Sequence, residues 1–186
     1  MNRFILAIFS VFCLGLGQEV SAAKYSFSQT GSSVKFFNTA SLHGIEGAAK
    51  SFSGSLDTDA LTGGFSVKTA SMTTNLGPRD TKMHEFCLES EKFPTIVFSV
   101  TGIEGGEALQ AGSGSGKVTL TGTLKIRDVT KPVSIAADYA FSDGGLSLKG
   151  RHDFKWTDFN VPDPSIIISR LYPDMNVQFS LAMTAQ

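Results

Sequence analysis

The sequence is poor in cysteine, in tryptophan and in net charge. Its 186 residues include two cysteines and one tryptophan, and the formal net charge is −1. Proteins that bind nucleic acid usually present a basic face, so this charge balance argues against a nucleic-acid partner. Beyond the N-terminal stretch, no apolar run approaches the roughly 20 residues that a membrane-spanning helix needs.

The one long apolar run follows Arg3 and predicts an export signal. The segment FILAIFSVFCLGLG is too short to cross a bilayer comfortably, and VSAAK after it has small residues where a signal peptidase reads. We therefore expect residues 1–22 to be a secretory signal, cleaved after Ala22 or Ala23. Residues 23–186 would then form one mature domain. A retained membrane anchor is the alternative interpretation.

Removal of the signal would leave a single cysteine. Cys13 lies within the signal, so Cys87 has no partner for an intramolecular disulfide. This holds even though an exported protein meets an oxidising compartment, where disulfides are permitted. The mature chain must therefore be held together by its apolar core, and it is long enough for one barrel or sandwich.

Apolar and polar residues alternate with a period of two through most of the mature chain. The clearest segments are 63–69, 95–100, 117–126, 132–141 and 176–183. Such alternation is typical of strands with one buried and one solvated face. Glycine-rich turns such as SDGG separate the segments. The sequence therefore predicts an all-β fold, an antiparallel barrel or sandwich of about eight strands.

One segment breaks this alternation and predicts a short helix. It lies between two prolines and has an apolar stripe at the spacing i, i+3, i+4, formed by Met83, Phe86 and Cys87. Asp80 or Thr81 could cap its start. We expect one helix at about residues 79–89. Because a lone helix of this length is marginal in water, it should lie packed across an open end or seam of the sheet.

The same segment carries motifs of a known family. R-D-x-x-M followed by C-L-E-S-E-K-F-P resembles the signature of the YceI-like, or polyisoprenoid-binding, proteins. The matching residues are Arg79, Asp80, Met83, Leu88, Glu89, Phe93 and Pro94. GTLKIRDVTKPV at 122–133 resembles the family's G-x-L-x-I-x-G-V-T-K-P-V, with Asp128 in place of a frequent glycine. FSGSLDTD at 52–59 is a weaker third match, and together the motifs span about 25–186.

The resemblance implies a lipocalin-like, eight-stranded antiparallel barrel located in the periplasm. Its interior would hold a long apolar chain, such as a polyisoprenoid, a quinone or a fatty acid derivative. The protein would then be a binding or carrier protein and not an enzyme, with no cofactor and no metal. Its partners would be this ligand and, transiently, a membrane or membrane protein, and it would act as a monomer or homodimer.

The inward faces of the strands provide a set of expected lining residues, rich in phenylalanine. These are Val34, Phe36, Phe52, Phe65, Val67, Ile96, Phe98, Leu120, Ile135, Leu148, His152, Phe154 and Phe179. An eight-stranded barrel has room either for side chains that fill it or for one small ligand, and the sequence leaves both open. His152 could meet the polar head of a ligand unless a bulge at Gly150 turns it outward. The motif residues Arg79, Asp80, Met83, Leu88, Phe93 and Pro94 should instead tie the helix to the barrel rim.

Two other classes of function remain open. His84 and Cys87 lie one helical turn apart and, with His152, could serve a small hydrolytic or metal-dependent enzyme. However, no two histidines have the spacing of a zinc motif, and a cysteine on an apolar stripe usually acts as a small hydrophobic residue. A barrel filled by its own side chains would instead be a ligand-free stress or interaction module.

Overall fold

The structure, a computed structural model, describes residues 24–142, 144–165 and 169–186, so the expected signal at 1–22 lies outside it. Within these ranges the strands are β1 Lys24–Phe27, β2 Ser33–Ala40, β3 Gly44–Ala49, β4 Phe52–Asp57, β5 Thr62–Lys68, β6 Met72–Thr73, β7 Thr95–Glu104, β8 Ser115–Ile126, β9 Val129–Ser142, β10 Gly145–Lys155 and β11 Leu171–Ala185. The helices are α1 Gly77–Lys82 and α2 Glu107–Gln110, and 3₁₀ turns span Thr69–Ser71 and Trp156–Phe159. None of the helices described is long and apolar enough to cross a membrane.

The strands form a closed antiparallel barrel. The eight strands β1-β4-β5-β7-β8-β9-β10-β11 follow one another around the ring, which closes where β1 pairs with the end of β11. At the other end of the barrel, β2 pairs with the part of β11 that precedes its contact with β1. β3 and β6 continue the same wall from β2. Closure removes the unpaired edges that an open sheet would present. The predicted all-β fold of about eight strands is confirmed.

One end of the barrel is packed solid with aliphatic side chains. Leu56, Leu109, Leu120, Leu146 and Leu148 have 0–1% of their surface exposed. Leu109 lies on α2, in the connection between β7 and β8, so this short helix covers the packed end. Each such side chain contributes about 1.5–3 kcal/mol through burial, which makes this end the stable base of the fold.

The predicted helix at 79–89 is present with slightly different bounds. α1 begins at Gly77 and continues without a break into a π-helical turn over Met83–Cys87. Pro78 lies in the first turn, where its missing N–H is tolerated. The expected cap by Asp80 or Thr81 is wrong, because the residue before the helix is Leu76 and no side chain caps it. The Asp80 carboxylate binds the preceding strand instead.

The helical segment, residues 77–88, lies where the pairing of two neighbouring barrel strands ends. β5 and β7 pair as far as Lys68 and Thr95, and the chain then turns so that β6 pairs with β3. The segment bridges the resulting gap. On one side the His84 ring contacts the Met72 carbonyl oxygen at 2.7 Å, and on the other Arg127 donates to the Cys87 carbonyl oxygen at 3.2 Å.

Candidate ligand-binding cavity

The end of the barrel away from α2 is hollow. It encloses a cavity of about 620 Å³, within the roughly 300–1,000 Å³ typical of small-molecule sites. Its wall is rich in aromatic rings, namely Phe27, Phe36, Phe52, Phe65, Phe98, Phe154 and Phe179. The helical segment adds Met83, Cys87 and Leu88 to the lining. The interior is therefore filled at one end and open at the other.

The structure brings most of the expected lining residues together around this cavity. They are Val34, Phe36, Phe52, Phe65, Val67, Ile96, Phe98, Ile135, His152, Phe154 and Phe179. Leu120 and Leu148 do not reach it, because both are completely buried in the packed end. Alternation along a strand shows which side chains face inward, but it carries no information about their depth in the barrel.

Other lining residues come from positions that alternation of apolar residues does not mark. His43 lies in the β2–β3 turn, and Leu76 precedes α1. Asn38 also lines the cavity from β2 and is 8% exposed. The pattern of apolar residues does not mark this position, because the side chain is polar. Its Nδ2 donates to the carbonyl oxygens of Tyr172 at 2.9 Å and Asp174 at 2.8 Å. Asn38 thereby holds the irregular start of β11 against β2.

His152 faces the cavity from β10. The pairing of β10 with β11 is continuous from Gly145 to Lys155, so no bulge turns the ring outward. The ring stacks on that of Phe154, with 5.9 Å between centroids. Burial in this wall lowers the pKa of His152, and the adjacent Asp153 carboxylate offsets part of that effect. The imidazole is therefore neutral at neutral pH and presents an uncharged polar group to the lumen.

Cys87 and His84 are directed to different partners. His84 Nε2 contacts the Met72 carbonyl oxygen at 2.7 Å. Cys87 is buried and lines the cavity. Burial raises the pKa of its thiol to about 11, against the opposing positive charges of Lys82 and Arg127. Such a thiol is protonated at neutral pH, whereas a cysteine nucleophile acts as the thiolate.

The three histidines lie on different elements, in the β2–β3 turn, the π-helical turn and β10. Across the described ranges, no three His, Cys, Asp or Glu side chains come together in a group that could hold a metal ion. The chemistry of the cavity is therefore set by aromatic and aliphatic side chains with a few polar groups.

Arg79 and Asp80 join α1 to β6 through a short chain of hydrogen bonds. Arg79 donates from Nε to Thr74 Oγ1 at 2.7 Å and from Nη2 to the Thr74 carbonyl oxygen at 3.0 Å. The Asp80 carboxylate accepts from Thr73 Oγ1 at 2.6 Å and from the Thr74 N–H at 2.8 Å. Although burial opposes it, these hydrogen bonds from Thr73 and Thr74 bring the pKa of Asp80 below its usual value.

The two main sequence motifs meet at Arg127, in the turn between β8 and β9. Its guanidinium forms an ion pair with Glu89 and donates to the carbonyl oxygens of Cys87 and Asn160. It also lies 5.5 Å from the centre of the Phe93 ring. Nearby, the Pro94 carbonyl oxygen accepts from the Thr69 N–H at 3.0 Å. These contacts hold the end of the helical segment over the open end of the barrel.

Several solved structures share this architecture. A polyisoprenoid-binding domain from Saccharophagus degradans, implicated in plant cell wall breakdown, has 17% identity and a TM-score of 0.75, covering 87% of this chain and 98% of that one. Burkholderia cenocepacia BcnA has 19% identity and a TM-score of 0.70, covering 82% and 96%. The YceI protein of Campylobacter jejuni has 19% identity and a TM-score of 0.60, covering 76% and 85%.

At these identities the structural likeness establishes the fold. No curated protein matches the sequence. The family model described as the YceI-like domain, however, matches residues 25–183, which is nearly the whole of the barrel. The resemblance carried by the Arg-Asp and Phe-Pro motifs is thus confirmed over residues 25–183. The chain belongs to the YceI-like domain family.

Proposed function

We propose that this protein binds an amphiphile by taking its long apolar chain into the barrel, and that it carries the ligand unchanged. The observation that supports this most directly is the cavity of about 620 Å³ lined by phenylalanine and aliphatic side chains. A polyisoprenoid, a quinone tail or a fatty acyl chain would suit such a wall. The Saccharophagus degradans domain with the same fold is a polyisoprenoid-binding domain, which agrees with this class of ligand.

The affinity would come from apolar surface removed from water. Each Å² contributes about 25 cal/mol before the cost of ordering the ligand chain is subtracted. The alternative, a ligand-free module, would need an interior filled by the protein's own side chains. Leu120 and Leu148 fill the packed end in this way, but the part of the lumen beyond them is open.

Neither Cys87 nor the two histidines of the enzyme alternative is arranged as an activated nucleophile with its base. The Cys87 thiol has its pKa raised by burial, and the His84 ring is engaged with the Met72 carbonyl oxygen. His152, the third residue of the enzyme alternative, lies on β10 with its ring stacked on Phe154. Binding without chemistry is therefore the function that we propose.

A matched pair of variants tests whether the lumen holds the ligand. Val177 lines the cavity, whereas Val97 is half-buried on β7 and lies outside the lining. Delipidated protein would be titrated with an apolar fluorescent probe whose fluorescence rises on binding. We expect Val177→Phe to weaken binding at least tenfold and Val97→Phe to leave it unchanged. Equal binding by both variants would contradict a site inside the barrel, as would wild-type protein that never binds such a probe.

We also propose that the protein acts in the periplasm, since the N-terminal sequence has the features of an export signal. Intact-mass measurement of protein recovered from the periplasm should give a chain that begins after Ala22 or Ala23. Recovery of the full-length chain in the cytoplasm alone would contradict this location.

The same purified protein, extracted with organic solvent, should release a co-purifying lipid.

A further inference from the structure

The cavity lining is unusual in its charge. The ionised residues that line it are Arg79 and Lys82, and no aspartate or glutamate joins them among the described residues. Both lie on α1, three positions apart, so they share one face of the helix. Both side chains are half-buried. The open end of a mostly apolar cavity therefore carries two positive charges.

Neither cation has an acidic partner within ion-pair distance in the described ranges. The ion pairs there are Lys35–Glu46, Lys117–Asp138, Arg127–Glu89 and Arg151–Asp153. Arg79 donates to Thr74. Lys82 donates to the Pro164 carbonyl oxygen at 2.7 Å and lies 5.8 Å from the centre of the Phe86 ring. Both cations are thus positioned by neutral groups.

Asp80 on α1 and Asp163 close to Lys82 each have other hydrogen-bond partners and form no ion pair with the two cations within the described ranges. The Asp80 carboxylate accepts hydrogen bonds from Thr73 and Thr74. Asp163 senses the charge of Lys82, but its carboxylate accepts from the Ser165 N–H at 2.9 Å. A ligand that covered Arg79 and Lys82 would therefore remove water from two positive charges that have no direct carboxylate contact in the described ranges.

That arrangement discriminates between headgroups. A neutral alcohol, amide or quinone would leave both covered cations without a counter-charge, which is costly in a low-dielectric setting. A carboxylate or phosphate would supply the counter-charge and accept charge-assisted hydrogen bonds, which are about twice as strong as neutral ones. The guanidinium also matches the planar or tetrahedral oxygens of these anions.

We propose that Arg79 and Lys82 form an anion-selective headgroup site at the mouth of the cavity, so that the ligand is an amphiphile ending in a carboxylate or a phosphate. The apolar chain would lie among the phenylalanine rings and the anion would face α1. This inference rests on the proposed function, because it requires that a chain occupies the lumen.

Three ligands with the same sixteen-carbon chain test the site: hexadecanoate, hexadecyl phosphate and hexadecan-1-ol. Each would displace an apolar fluorescent probe from delipidated protein at about pH 8, where both acids are ionised, and below micelle-forming concentrations. We expect one or both anions to bind at least tenfold more tightly than the alcohol. The anion that binds tightly identifies the headgroup class, and tight binding of both indicates recognition of charge alone.

Variants assign this preference to the two cations. Lys82→Met should lose most of the anion preference, because its affinity for the two anions falls while its affinity for hexadecan-1-ol rises or holds once a covered, uncompensated charge is removed. Arg79→Gln should do the same, and Arg79→Lys, which keeps the charge, should retain part of the preference even if the Thr74 contacts weaken. Lys117→Met is the matched control, since Lys117 is an exposed cation on β8 paired with Asp138 and does not line the cavity. It should behave as wild type.

The outcomes separate this inference from the proposed function. If all three ligands bind equally to wild-type protein, the barrel carries a chain but the headgroup site is refuted. The same conclusion follows if the anion preference survives in Lys82→Met and Arg79→Gln alike. If none of the three ligands binds, the alcohol included, the proposed function is itself contradicted.

Discussion

The ring of Phe36 occupies the space above Gly47 that a side chain on the neighbouring strand would otherwise fill. The two residues are direct cross-strand partners, and a Cβ added to Gly47 would lie 2.1 Å from Phe36 Cζ. The same relationship recurs between other pairs of partners, Phe27 with Gly54 and Phe179 with Gly150. Because these rings lie across the wall over glycines, a barrel rich in phenylalanine keeps an open lumen.

Gly47→Ala tests this arrangement. The added methyl group would displace the Phe36 ring toward the lumen, because the strand backbone beneath it is held by its hydrogen bonds. We expect a loss of about 1–3 kcal/mol in the free energy of unfolding, typical of overpacking. The affinity for an apolar ligand should fall with it. Denaturant unfolding and probe titration would measure the two effects.

Gly64→Ala is the control, since a Cβ at Gly64 on β5 would meet nothing within 4 Å. It should bind the probe as wild type does. Adding Phe36→Leu to Gly47→Ala should restore part of the lost stability, because the smaller side chain leaves room for the methyl group. The account is wrong if Gly47→Ala behaves like Gly64→Ala in both measurements.

Much of this barrel could be predicted from the period-two alternation of its strands. The inward positions of Phe98, His152 and Phe179 follow from that period alone, as does the presence of several hairpins. Depth along the barrel does not follow, because strand stagger depends on pairing between segments distant in sequence. Leu120 and Leu148 were therefore predicted at the cavity and lie in the packed end.

The helical segment shows a second limit of local patterns. Its apolar stripe predicts a helix, and the family motif marks Arg79 and Asp80. The partner of the Asp80 carboxylate depends on where β6 ends, so an expected helix cap is instead a link to Thr73 and Thr74. The charge at the cavity mouth is equally invisible in the sequence, because it depends on which acidic groups are already engaged.

Arg127 should be the main polar contact that holds the C-terminal end of the helical segment in place. Its side chain is 14% exposed and contacts Glu89 and the carbonyl oxygens of Cys87 and Asn160. Glu89 is 38% exposed, so solvent screens part of the ion pair. We expect Arg127→Gln to lower the free energy of unfolding by about 1–3 kcal/mol, mainly through the part-buried Cys87 carbonyl oxygen and the Glu89 carboxylate left without this partner.

Arg151→Gln is the matched control for this exchange. The Arg151–Asp153 pair has side chains 63% and 61% exposed, and exposed pairs contribute little. Its free energy of unfolding should stay within about 0.5 kcal/mol of wild type. If denaturant unfolding shows the same loss of stability in both arginine variants, the proposed role of Arg127 in holding the helical segment is contradicted.

His152 should give the stability of the protein a defined pH dependence. Burial lowers the pKa of His152 in the folded state, so the unfolded chain binds this proton more readily. The associated stability is fully present above the unfolded pKa of about 6.5 and falls as the pH drops from there toward the folded pKa. In His152→Gln this part of the pH dependence should disappear. If the free energy of unfolding changes with pH equally in wild type and His152→Gln between about pH 7.5 and 5.5, this role of His152 is refuted.

Cys87 provides a direct probe of whether the cavity is dry and covered. Its thiol lies on the buried face of the helical segment, and burial raises its pKa to about 11, so the reactive thiolate is scarce at about pH 8. We expect a thiol reagent to modify the folded protein at least 100-fold more slowly than the denatured chain. The measurement uses a chain that begins at Ala23, in which Cys87 is the single cysteine. A bound amphiphile should slow the reaction further, because Cys87 lines the cavity. Rapid modification of the folded, ligand-bound protein would show that the segment does not shield the lumen.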